Sequence, residues 1–261
     1  MTMHISKKQG IATLFVIIIA IGCLAITLPR STGMEDVRVA VYNDRGVLLS
    51  SATALLNMFQ WMHAEVSYIN STEIQQGALD EYDIVVFPGG SAYDYSSHLG
   101  SIGRSAICNF VAGGGSYFGI CGGSIFGTNS YLRLFNGYTS GAVNGSGSKI
   151  LEMAINRNST GPDLSNEPLT YDVLYWDSGY FYSMNTTYMS TVIPIATYLQ
   201  NDEPGMITCK YGNGTVFLSF PHPEYEENSA RDGTDYFDHY NDPDSEWSLL
   251  LKVSLWLVEM S

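Results

Sequence analysis

The spacing of apolar and polar residues divides the chain into zones of different character. Residues 11–28 form an uncharged, mostly apolar run with no polar face, long enough at about 1.5 Å per helical residue to cross most or all of a bilayer core. From residue 37 onward the pattern changes to short β-branched or apolar runs. Residues 37–42 (VRVAVY), 65–69 (EVSYI), 83–87 (DIVVF) and 116–120 (SYFGI) each predict a strand. Between them, Leu48, Ala52, Leu55, Leu56 and Phe59, and later Ile102, Ala106, Ile107 and Phe110, fall at helical spacing. Strands alternating with helices predict a doubly wound, mostly parallel α/β sheet with helices on both faces. Across 136–201 the pattern loosens into Gly, Ser, Asn and Tyr, which predicts an insertion carrying loops over the C-terminal edge of the sheet, with hairpins around 171–181. Residues 206–211 and 215–219 return as strands, and Trp247, Leu250, Leu251 and Val258 mark a final helix.

Lys7 and Lys8 precede the first apolar run, and this order predicts an uncleaved signal anchor: a transmembrane helix with the lysines in the cytoplasm and everything after Thr32 outside it. The anchor and its linker then occupy 1–33 and a single domain occupies 34–261. Lipidation at Cys23, in Ala20-Ile21-Gly22-Cys23, or secretion after cleavage are the alternatives. Sequons at Asn70, Asn144, Asn158, Asn185 and Asn213 agree with export. Beyond the anchor stand Cys108, Cys121 and Cys209, an odd number that leaves at least one thiol outside any internal bridge. Cys108 falls on a helix and Cys209 on a later strand, and no bond between them is expected. Twelve Lys and Arg against 26 Asp and Glu give a net charge of -14, which repels phosphate backbones and excludes nucleic acid as a partner.

Chemistry concentrates in three short motifs. Tyr117-Phe118-Gly119-Ile120-Cys121-Gly122-Gly123-Ser124 has the form strand, G-x-C-x-G, helix, the cysteine counterpart of a nucleophile elbow. A thiol there faces the positive end of the following helix, which favours the thiolate. In Phe220-Pro221-His222-Pro223-Glu224 the residues two apart point the same way in an extended segment, so Glu224 can orient His222 and His222 can activate Cys121. Pro88-Gly89-Gly90 ends the strand expected beside the elbow, and the N–H groups of Gly89, Gly90 and Gly122 are candidates for an oxyanion hole. Asp177, Gly179 and Tyr180, in a W-D-S-G-Y stretch, are candidates for lining the pocket.

These motifs, with F-P-G-G, G-G-G-S-Y-F-G-I-C-G-G-S and F-P-H-P-E as they stand here, resemble the class I glutamine amidotransferase-like superfamily. Within it the chain looks most like the amidotransferase-like domain at the N-terminus of some biotin-protein ligases. The resemblance implies a flavodoxin-like doubly wound sheet, with Cys121 in the nucleophile's place, His222 in the base's and Glu224 in the orienting acid's. One departure bears on substrate: glutaminase members commonly carry G-x-C-x-G-x-Q, and this chain has Ile125 where the Gln would stand.

No cofactor or metal is expected. Asp232, Asp235, Asp238, Asp242 and Asp244, with His239, lack the ordered pattern and central glycine of a calcium loop and read as a solvated acidic loop. His63 and His98 have no ligand-spaced companions and are assigned to surface or helix-end positions. Two functions compete. One is a cysteine-dependent hydrolase or transferase acting on a small-molecule amide or acyl substrate, held at a membrane by its N-terminal helix. The other is a non-catalytic extracytoplasmic module that keeps the fold to bind a ligand or protein.

Overall fold

The computed structural model describes residues 33–226 and 229–261. The expected anchor at 11–28 lies outside them, and among the described residues no helix is long and apolar enough to cross a membrane. The unit formed by 32–261 is an α/β domain.

Its first half follows the predicted alternation. Strand β1 (Arg38–Tyr42) leads to helix α1 (Leu49–Trp61) and strand β2 (Glu65–Ile69). A short helix α2 (Ser71–Gln75) precedes β3 (Ile84–Phe87), and α3 (Ala92–Gly113) returns the chain to β4 (Ser116–Ile120) and the short α4 (Gly122–Gly127). These four strands pair in parallel, β1 with β2 and β3, and β3 with β4. The strands alternate their side chains between two cores. Val39, Val41, Phe118 and Ile120 face α1 and the last helix, α6 (Trp247–Met260), while Ala40, Tyr42, Tyr117 and Phe87 face α3 and α4. Helices therefore cover both faces, as the burial of every residue in β3 and β4 requires. In α3 the buried line is Leu99, Gly103, Ile107 and Val111, each four residues on from the last, and Ile102, expected on that face, is 66% exposed.

The stretch 136–201 departs from expectation. Instead of loops alone it contributes three strands to the main sheet, β6 (Ser148–Ile155), β7 (Thr170–Trp176) and β9 (Ile193–Tyr198). A two-stranded ribbon of β5 (Tyr138–Thr139) and β8 (Phe181–Tyr182) and the short helix α5 (Thr186–Met189) complete it. With β10 (Pro204–Tyr211) and β11 (Gly214–Ser219) the sheet has nine strands in the order β2-β1-β3-β4-β11-β10-β9-β6-β7. Strand β11 joins β4 in parallel, and β10, β9, β6 and β7 follow as antiparallel neighbours, so the sheet is mixed rather than mostly parallel. The mixed pattern explains the weak signal: strands with one partly wet face, such as β6 and β7, lack the unbroken apolar runs of β3 and β4.

Candidate active site

Three neighbouring parallel strands, β3, β4 and β11, end at the same edge of the sheet, and each delivers one of the predicted motifs there. Cys121 follows β4 directly. Its φ of 48° and ψ of -109° place a non-glycine residue in a strained turn, at a cost of about 1–3 kcal/mol that the surrounding packing must offset. That packing is visible. The Cys121 N–H donates to the Ser219 carbonyl at 2.8 Å, and its carbonyl accepts from Ile125 N at 3.0 Å. A Cβ on Gly122 would stand 2.0 Å from the Gly90 carbonyl oxygen, and one on Gly123 would stand 1.9 Å from that of Phe87, so only glycine lets the elbow seat against the β3 turn.

His222 and Glu224 are both fully buried, with Nδ1 of the imidazole 2.9 Å from Oε1 of the carboxylate. The backbone is anchored on either side: His222 N donates to the Leu174 carbonyl at 2.8 Å, and the Glu224 carbonyl accepts from Trp247 Nε1 at 3.0 Å. The rings of Trp176 and Tyr225 flank the imidazole at centroid distances of 6.1 and 5.6 Å. Burial disfavours the charged ring, but Glu224 and Cys121 outweigh it and raise the His222 pKa to about 10. Nε2 makes no hydrogen bond of standard geometry among the described residues.

A residue that the sequence did not single out ties these parts together. The hydroxyl of Ser51, fully buried in α1, donates to Glu224 Oε1 at 2.7 Å and accepts from Gly89 N at 2.8 Å. The Gly89 N–H is thereby engaged and is removed from the predicted oxyanion hole, leaving Gly90 and Gly122 as its candidates. Gly89 instead backs the base, since a Cβ there would stand 2.8 Å from His222 Cε1. Tyr95 holds the same turn from below, its hydroxyl donating to the carbonyls of Pro88 and Gly89 at 3.1 and 2.9 Å. A lone Ser in an amphipathic helix carries no motif, so nothing in the sequence marked Ser51.

Cys121 and His222 open into one cleft of about 360 Å³. Leu48, Ile125, Trp176 and Phe220 form its apolar wall, with Gly90 and Asp177 completing the lining. Of the three residues expected from the W-D-S-G-Y stretch, only Asp177 reaches the cleft. Gly179 lies against the backbone of Ser140, and its carbonyl accepts from Tyr198 at 3.0 Å. The Tyr180 carbonyl accepts from Ser140 N, and its side chain packs on the core. The neighbouring Trp176, which the sequence did not single out, lines the cleft beside Asp177. Strand β7, which carries it, is four places from β11 in the sheet, and the hydrogen bond from His222 to Leu174 shows that the antiparallel wing curls back to meet the site. A larger groove, about 670 Å³, lies by Asp83 and Gly115 at the N-terminal ends of β3 and β4, away from the nucleophile.

The acidic stretch is more ordered than a solvated loop. Asp232 is buried and accepts from Glu226 N and Thr234 N at 3.2 and 3.1 Å, and burial raises its pKa to about 6. Asp242, Asp244 and Glu246 bring carboxylate oxygens within 4.8 Å of one another. The loop is instead pinned by Arg231, whose guanidinium lies 4.2 Å over the Trp247 ring and 5.1 Å from that of Trp61 and pairs with Glu226 at 2.6 Å. His98 pairs with Asp44 at 3.3 Å on the surface, and His63 is exposed just beyond α1. Cys108, Cys121 and Cys209 are each unbridged.

Comparison with known proteins agrees with this fold. The family described as the N-terminal part of biotin-protein ligase matches residues 37–146. An uncharacterized protein of Chlamydia muridarum is 29% identical over 222 residues, which cover 74% of this chain and 82% of that protein. The biotin–protein ligase of Schizosaccharomyces pombe is 25% identical over 213 residues, 72% of this chain but only 33% of the ligase. Among solved structures, PurLQS from Thermotoga maritima matches with a TM-score of 0.57 at 17% identity, covering 84% of this chain and 98% of that one. A glutamine amidotransferase from the same organism matches with a TM-score of 0.55 at 17% identity, covering 85% and 89%. The resemblance carried by the motifs therefore holds: residues 37–146 match the biotin-protein ligase N-terminal family, and the chain has an α/β fold like that of the solved glutamine amidotransferase.

Proposed function

We propose that the chain is a cysteine-dependent hydrolase or acyl transferase acting on an amide or related acyl compound. The observation that carries this reading is the convergence of a strained Cys121 and the buried His222–Glu224 pair on one cleft. In the reaction the Cys121 thiolate attacks the acyl carbon, and the N–H groups of Gly90 and Gly122 receive the developing oxyanion. The imidazolium of His222, favoured at neutral pH by its raised pKa, gives its proton to the departing amine. The C–N bond breaks and a thioester remains. Water or an acceptor nucleophile then attacks it, giving its proton to the now neutral His222, and the C–S bond breaks to release the acyl product and restore the Cys121 thiolate and the imidazolium. Glu224 keeps Nδ1 oriented throughout, and Ser51 holds Glu224. Residues 11–28 would tether this domain to a membrane with the site outside the cytoplasm, a reading supported by Lys7, Lys8 and the length of the apolar run.

The rival reading is a binding module on the same fold, and Ile125 in place of a substrate-binding Gln favours it. Intact-mass measurement after mixing the full chain with p-nitrophenyl acetate separates the two. Catalysis predicts an acetyl adduct on Cys121 that hydroxylamine removes and that Cys121→Ser does not form as a thioester. Absence of any adduct at Cys121 in the folded wild type would leave the binding module.

A further inference from the structure

The cleft wall is more specific than its nucleophile. Leu48, Ile125, Trp176 and Phe220 give it an apolar lining, and the indole of Trp176 lies alongside the His222 ring. Among the described residues no Lys or Arg lines it, so the carboxylate of an amino-acid substrate would find no cationic partner beyond the buried His222. The other charge is negative. Asp177, held in a left-handed turn at φ 46°, is fixed by the bond from Gly147 N to its Oδ1 at 2.5 Å and points the cleft toward repulsion of anions. Where a glutaminase would offer an amide, Ile125 offers a hydrocarbon. A polar acyl chain placed there would lose its water without gaining a hydrogen bond, whereas an apolar one gains contact area.

We propose that the acyl group taken by Cys121 is apolar, aromatic in size and without a carboxylate, its flat face against Trp176 and its far end near Asp177. This rests on the acyl-transfer reading above. A pocket of this volume holds such a group with room for the scissile bond. The α-carboxylate of glutamine would find no Lys or Arg partner in this lining.

The test uses the full chain with p-nitrophenyl esters of acetate, phenylacetate and 4-carboxyphenylacetate. In each case the thiolate displaces p-nitrophenolate and keeps the acyl group as a thioester, so the burst of p-nitrophenolate and the adduct mass report the same step. Rates are divided by those of mercaptoethanol with the same ester, which removes intrinsic reactivity. The expected result is a phenylacetyl rate at least about tenfold above acetyl, with that gain lost for 4-carboxyphenylacetyl. Trp176→Ala should collapse the phenylacetyl to acetyl ratio, and Asp177→Asn should raise the 4-carboxyphenylacetyl rate relative to phenylacetyl several-fold. Acylation by all three esters at the mercaptoethanol ratios would overturn this inference and leave the acyl-transfer reading standing. No acylation by any ester would overturn both.

Discussion

The strands β2, β1, β3, β4 and β11 run parallel, and in β3, β4 and β11 every residue is buried. The wing of β9, β6 and β7 runs antiparallel and leaves about every second position partly exposed. The two regions meet at one cleft but contribute different things to it. From the parallel half come Cys121, the Pro88-Gly89-Gly90 turn and, through β11, His222 and Glu224, all groups whose positions must be fixed to a fraction of an ångström. From the wing come Trp176 and Asp177, which touch whatever enters. The doubly covered sheet thus carries the proposed catalytic groups, and both regions line the cleft: Leu48, Ile125 and Phe220 from the parallel half, Trp176 and Asp177 from the wetter wing.

If that division holds, the largest effects on stability belong to the parallel half's polar cluster. His222→Ala leaves the buried Glu224 carboxylate without its cationic partner and is expected to cost about 3–5 kcal/mol at pH 6, read by urea unfolding. The pH dependence has a definite sign. Because the folded pKa of about 10 lies above the unfolded value near 6.5, the imidazolium's contribution is full below about pH 6.5 and fades as pH rises through about 10. The gap between wild type and variant should narrow over that window; a constant gap would mean that His222 is not charged in the fold. Gly122→Ala drives a methyl into the Gly90 carbonyl and is expected to cost about 1–3 kcal/mol and to abolish acylation of Cys121 as the elbow shifts.

Ser51→Ala tests whether the hydroxyl links the acid to the β3 turn. Losing it leaves Gly89 N–H and Glu224 Oε1 each short of one hydrogen bond, at about 1–3 kcal/mol. A purely structural Ser51 would lower stability alone, whereas a positioning Ser51 also shifts the pH profile of Cys121 acylation. The finest comparison is one substitution made in both regions. Ile120→Val in β4 should lie near the upper end of the usual range of about 0.5–1.5 kcal/mol, and Ile150→Val on half-buried β6 near the lower. Equal losses would erase the contrast between the two halves.

The same contrast governs what could be read from the residues. Unbroken apolar runs such as IVVF and glycine-flanked Cys121 announce a buried parallel strand and an elbow without any knowledge of their partners. The pairing of His222 with Glu224 was legible because a two-residue spacing in extended chain fixes it locally. Strands β6, β7 and β9 were not legible, since Lys149, Glu152, Asp172 and Pro194 break up their apolar runs and their pairing depends on contacts distant in sequence. Ser51 lies 173 residues from Glu224 and 38 from Gly89, and no local pattern encodes such a contact. Trp176 became a cleft residue only through the curl of the wing toward His222.

In the proposed mechanism His222 acts on Cys121 as a charged partner. The most direct measurement is the rate of Cys121 alkylation by iodoacetamide from pH 6 to 10, in wild type and in His222→Asn, whose amide can still donate to Glu224 but cannot carry the charge. At pH 6.5 the wild type should react faster by about tenfold or more, and the two rates should converge as the pH approaches 10, where the imidazolium is lost. Equal rates at pH 6.5, with both proteins folded by thermal unfolding, would contradict the claim.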